Sequence, residues 1–79
     1  GSSTRIEGVK LTDKEIEKAA LSIKDLLSGM TVNERLWKSG LMEIYDECLK
    51  SDRSKAKWIL ELLDVDAESI EKIVKGERK

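Results

Sequence analysis

Two helix-start signals of the same kind constrain the fold of this chain more than any other feature. Each is a threonine followed three residues later by a glutamate, at residues 12–15 and 31–34. In such a capping box the threonine hydroxyl accepts a hydrogen bond from a backbone N–H that the helix start otherwise leaves unpaired. Apolar residues at spacings of three and four follow both signals, which is the period of an amphipathic helix. The sequence therefore predicts an all-α protein.

The spacing of apolar residues, together with the glycines, predicts a compact bundle of about four short helices. We expect them over residues 12–27, 31–50, 55–63 and 67–76. Gly29 and Gly76 would end the first and the last helix, because glycine accepts a left-handed conformation without strain. Gly40 falls inside the second predicted helix, where either a close approach of another helix or a kink would explain it. The third helix has a broad apolar stripe, so we expect it to lie at the centre.

This arrangement amounts to a single domain, since the chain has 79 residues. We expect an N-terminal extension over residues 1–11, a helical domain over 12–76 and a frayed tail over 77–79. The absence of proline and a charged fraction of 39% agree with a helical protein. No apolar run approaches the ~20 residues of a membrane span, and we expect a cytoplasmic protein with no membrane partner.

Several kinds of chemistry are not expected from the residue types present. The chain has no histidine and a single cysteine, Cys48, so neither a metal site nor a disulfide framework is predicted. We interpret Cys48 as a half-buried, inert thiol, with a reactive thiol as the alternative. No pairing of nucleophile and base and no phosphate-binding loop is present, so we predict a protein that is not an enzyme and has no cofactor and no small-molecule substrate.

The segment Ser3-Thr4-Arg5-Ile6-Glu7-Gly8 carries a short motif, in which a hydroxyl residue is followed after three positions by glutamate and then by glycine or asparagine. It resembles the inhibitory motif of small bacterial antitoxins that silence Fic-type AMP-transferases. The likeness extends over roughly residues 3–36, because a polar turn, a helix, a glycine and a second helix start follow the motif in those antitoxins too. Residues 37–79 are not explained by it.

The resemblance implies a Fic-type toxin as the protein partner. In that family the glutamate pairs with an arginine that would otherwise hold the ATP γ-phosphate, so AMP transfer stops. A carboxylate can occupy the guanidinium fork bidentately, as a phosphate does. Carried over, Glu7 would be the competitor, Ser3 would orient the segment, Ile6 is the apolar residue before the glutamate, and Gly8 would let the chain leave without a clash.

Two alternatives stay open beside the antitoxin interpretation. In the first, the hexapeptide is incidental and the protein is a small helical interaction or regulatory domain. In the second, residues 56–76 form a helix-turn-helix that would present Glu68, Ser69, Glu71 and Lys72 to DNA. The acidic members of that set and the net charge of −1 argue against nucleic acid as a partner.

The tryptophans at positions 37 and 58 allow two interpretations. Both could fill the core of a small domain. Alternatively, Trp37 could be an exposed anchor for a protein partner, because it lies beside Leu36 on a helix and only one of the two neighbours can face the core.

Overall fold

Residues 11–76 are described by a computed structural model, and all their regular structure is helical. A short 3-10 turn, Lys24–Leu26, follows the first of five α-helices. The helices are α1 (Asp13–Ser22), α2 (Val32–Ser39), α3 (Met42–Ser51), α4 (Arg53–Leu62) and α5 (Ala67–Lys75). The predicted all-α class is confirmed for these residues, and the prediction of about four helices is roughly consistent with the five that are found.

Both predicted capping boxes begin a helix. The Thr12 hydroxyl accepts a hydrogen bond from the backbone N–H of Glu15 at 3.3 Å, and the Thr31 hydroxyl accepts one from that of Glu34 at 3.2 Å. Because the cap depends on residues only three positions apart, it can be read from the sequence alone.

The first helix is shorter than predicted. Helical geometry stops after Ser22, where Ile23 takes φ −110° and ψ 11°, and the 3-10 turn follows. Ile23 and Leu27 still reach the core, but Leu26 is 56% exposed. The break at Ile23 changes the angle between successive side chains, so the helical spacing no longer keeps Leu26 on the buried face.

The predicted second helix is two helices, separated at Gly40. This glycine has φ +78°, in the left-handed region. The N–H of Gly40 bonds to the carbonyl of Trp37 at 3.1 Å and that of Leu41 to the carbonyl of Leu36 at 3.0 Å, the pair of bonds of a Schellman motif. A Cβ built on Gly40 would meet nothing within 4 Å. Neither a close helix approach nor a kink explains this glycine; a helix end does.

Helix α4 lies at the centre of the domain, as its broad apolar stripe predicts. It packs against α1, α3 and α5, while α2 packs against α1 and α3. Its residues Ala56, Ile59 and Leu60 are fully buried, and so is Leu63, which follows the helix. Besides these four, the core contains Ile16, Ala20, Ile23, Leu27, Leu36, Leu41, Ile44, Tyr45, Ile70 and Val74.

Candidate functional site

The most exposed large apolar side chain among the described residues is that of Trp37, at 70%. Its neighbour Leu36 is only 2% exposed and lies in the core. Successive side chains differ by about 100° around a helix, so burying Leu36 turns Trp37 towards solvent. The interpretation that both tryptophans fill the core is therefore wrong. Trp58 is half-buried against the core, with the Lys55 ammonium 5.9 Å from the centre of its ring.

Trp37 stands on a helix whose two ends are fixed. The Thr31 cap begins α2 and the left-handed Gly40 ends it. The surface that Trp37 shares with its neighbours one turn earlier contains Asn33 and Glu34, both exposed. We call these three residues the α2 outer face. It combines one large apolar side chain with two polar ones.

Arg35 holds α2 in place from the inner side. Its guanidinium donates hydrogen bonds to four main-chain carbonyls, those of Leu27 (3.3 Å), Met30 (3.2 Å), Leu63 (3.0 Å) and Asp64 (3.1 Å). The last two carbonyls lie at the end of α4, where a cation also complements the helix dipole. The sequence alone does not single out Arg35, because its acceptors lie on segments that only the fold brings together.

A groove of about 230 Å³ runs between α3 and the start of α4. It is lined by apolar, acidic and basic side chains together, among them Leu11, Ile44, Cys48 and Lys55. Burial raises the pKa of the Cys48 thiol; Lys55 opposes this shift, and Asp52 and Glu47 add to it. The half-buried position agrees with the prediction for Cys48, and a raised pKa lowers the thiolate fraction that a reactive cysteine needs.

The residues of the N-terminal motif, Ser3, Ile6, Glu7 and Gly8, lie outside the described residues. Leu11, the first residue described, lines the groove beside α3. Two positions later, the carboxylate of Asp13 pairs with Lys55 at 3.1 Å, which ties the start of α1 to α4.

The segment 56–76, considered above as a helix-turn-helix, forms α4, a tight turn and α5. Ala56, Leu60, Leu63 and Ile70 are buried as that interpretation requires. Glu68, Glu71 and Lys72 are exposed and Ser69 is half-buried. A packed helical hairpin without any ligand needs the same burial, so the pattern does not favour DNA over a purely structural role.

Two features are absent from residues 11–76. No group of three or more metal-binding side chains lies close enough together to hold an ion. No helix is both long and apolar enough to cross a membrane. Compared with protein-family models, with curated proteins and with solved structures, the chain shows no match.

Proposed function

We propose that this protein is a non-enzymatic regulator that acts by binding another protein, with Trp37 as its anchor. The observation that carries the proposal is the 70% exposure of Trp37 on a helix that is capped at both ends. Isolated exposed leucines are common on protein surfaces, but tryptophan is among the residues most enriched at the energetic centres of interfaces.

Pre-organisation supports the same proposal. A side chain on a mobile loop would lose conformational entropy on binding, which weakens the complex. Helix α2 is fixed by the Thr31 cap, by the end at Gly40 and by the four hydrogen bonds of Arg35. Trp37 is thus presented at little further entropic cost.

Comparison of matched surface variants tests the anchor. Wild type, Trp37→Ala and Leu21→Ala would be immobilised and exposed to extract from the source cells. Leu21 is the control because it is also a large exposed apolar residue, at 61%. We expect a protein that wild type and Leu21→Ala retain and that Trp37→Ala loses. If wild type and both variants capture the same proteins, Trp37 is not the anchor.

In its most specific form, the proposed regulator is an antitoxin of a Fic-type AMP-transferase, with Glu7 as the inhibitory group. The support for this form is the motif Ser3–Gly8, followed by a helix that begins at Asp13 behind a threonine cap. The Glu7 carboxylate would occupy the guanidinium of the toxin and exclude the ATP γ-phosphate. A cytoplasmic location belongs to the same proposal.

Co-expression with the suspected toxin tests Glu7 separately from Trp37. We expect Glu7→Gly to release AMP transfer while the two proteins still bind each other. Trp37→Ala should instead weaken the complex by on the order of 10- to 100-fold, the range of a strong interface residue. Full protection of cells by Glu7→Gly would refute the antitoxin form and leave the protein-binding proposal standing.

A further inference from the structure

The charges of the hairpin formed by α4 and α5 are segregated by sign. Residues 53–57 and 71–75 contain five basic residues and one acidic residue, whereas residues 58–70 contain four acidic residues and no basic one. The two basic stretches are the start of α4 and the end of α5, and the fold brings them together because the two helices pack against each other. One end of the hairpin is therefore basic in a chain whose net charge is −1.

A groove of about 180 Å³ lies at this basic end, and we call it the α4–α5 groove. Three cations, one carboxylate, one hydroxyl and one apolar side chain line it: Arg53, Lys57, Lys75, Glu71, Ser54 and Val74. Counting these side chains at neutral pH gives a net charge of about +2. Val74 is buried and forms an apolar floor.

Only part of this positive charge is neutralised by neighbours. Lys57 pairs with Glu71 at 3.8 Å, and Lys55, which lines the other groove beside α3, pairs with Asp13 at 3.1 Å. Arg53 and Lys75 form no ion pair with any residue between 11 and 76. Two like charges that line one groove repel each other, and an anionic side chain placed between them would relieve the repulsion.

We propose that the α4–α5 groove binds an acidic segment of a partner protein, whose carboxylates face Arg53 and Lys75. The groove has room for one or two side chains, and its hydroxyl and guanidinium can donate hydrogen bonds to them. The α2 outer face belongs to a different part of the surface, because Arg35 joins α2 to the opposite end of α4, about 15 Å away.

A protein segment fits this surface better than a nucleic acid does. A duplex presents a long, regular array of phosphates, and binding improves with each phosphate neutralised. Beyond the groove, the hairpin carries Glu61, Asp64, Asp66 and Glu68, which would repel such an array. A short segment can place its charge at the basic end alone.

Fluorescence anisotropy with labelled hexaglutamate tests the proposal, at about 20 mM salt so that screening is weak. Hexaglutamine and short duplex DNA are the comparison probes. We expect hexaglutamate to bind and the Arg53→Gln, Lys75→Gln double variant to bind on the order of tenfold more weakly, since each exposed ion pair contributes modestly. The double variant Lys14→Gln, Lys18→Gln, with the same loss of charge on exposed positions of α1, should bind as wild type does.

A loss of binding could also result from unfolding of a variant, whereas a gain of affinity could not. Glu71→Gln removes the only carboxylate of the groove and frees Lys57, so hexaglutamate should bind several-fold more tightly. Glu17→Gln adds the same charge on α1 and should have no effect. Trp37→Ala should bind the peptide normally, so the result does not depend on the proposed anchor. The proposal would be overturned if the double variant of the groove and that of α1 lost affinity for hexaglutamate equally. It would also be overturned if the protein bound duplex DNA and the double variant of the groove abolished that binding.

Discussion

Arg35 donates a hydrogen bond from Nη1 to the carbonyl oxygen of Leu63 across 3.0 Å, which joins residues 28 positions apart in the chain. With its other three acceptors, the guanidinium connects the segment before α2 to the end of α4. Hydrogen bonds from a charged donor are about twice as strong as neutral ones. One partly buried side chain thus fixes how two parts of the domain lie together.

Removing this guanidinium should destabilise the protein. We expect Arg35→Ala to lower the free energy of unfolding by about 2 kcal/mol, because hydrogen bonds of a charged group are lost and carbonyls stay unpaired. Arg35→Lys should give an intermediate loss, since the ammonium keeps the charge but not the planar fork. Urea unfolding followed by circular dichroism measures both. Arg53→Ala, at an exposed position, is the control; a loss as small as that of the control would contradict the assignment.

The left-handed residue between α2 and α3 gives a second prediction. Gly40→Ala should cost about 1 kcal/mol of stability, the strain of an L-residue at positive φ. Because a Cβ there meets nothing within 4 Å, no steric clash adds to this strain. Gly40→Asn should cost less than half as much, since asparagine tolerates this conformation. Thermal unfolding of the three proteins distinguishes the effects, and equal stabilities would show that the backbone there is not left-handed.

Removing the hydroxyl of Tyr45 should stabilise the protein. The side chain is 5% exposed, and no described residue forms a hydrogen bond with the hydroxyl. Burial raises the pKa of Tyr45, and the Asp46 carboxylate raises it further. We expect Tyr45→Phe to raise the free energy of unfolding by about 1 kcal/mol at neutral pH. Urea unfolding at neutral pH measures this, and a loss of stability would mean that the hydroxyl has a partner.

Comparison with the same variant should show how Tyr45 makes the stability of wild type depend on pH in the alkaline range. A tyrosine whose pKa is higher in the folded than in the unfolded state contributes stability that is lost as pH rises from about 10 through the folded-state value. The stability of wild type should therefore fall faster than that of Tyr45→Phe above about pH 10. Tyr45 is the only tyrosine, so its absorbance reports the titration directly. Parallel stability curves would exclude a raised pKa.

The two tryptophans should differ in fluorescence, and the removal of Trp37 should hardly change the stability of the protein. In Trp58→Phe the remaining Trp37 should emit at the long wavelength of a hydrated indole and be quenched readily by acrylamide. In Trp37→Phe the remaining Trp58 should emit at a shorter wavelength and be protected. Trp37→Ala should change the free energy of unfolding by no more than about 0.5 kcal/mol, as for other surface substitutions. A large loss of stability there would show that Trp37 is packed.

Local signals predicted the helical class and both helix starts at the capping threonines, because a cap depends on residues a few positions apart. The division at Gly40 was missed although its signal is also local: Leu36 and Leu41 flank the glycine at the spacing of a Schellman motif. Their apolar character continues a helical stripe equally well, so the pattern alone allowed one long helix.

The contacts between distant segments could not be predicted in this way. Arg35 looks like any arginine beside an apolar stripe until α4 brings its carbonyl acceptors close. The basic residues near Arg53 and near Lys75 lie about 20 positions apart in the sequence, so the sequence pattern alone does not join them into a site. They become one surface because a turn of a few residues folds α5 back onto α4.

Helix α2 is eight residues long, and a helix of that length is not stable in water on its own. The orientation of Trp37 is therefore a property of the whole folded domain. A ligand of the proposed α2 outer face would bind the native state and not the unfolded one, so at a concentration 100 times its dissociation constant it would add about 2.7 kcal/mol to stability. The melting temperature of the domain is thus itself a gauge of whether that face is occupied.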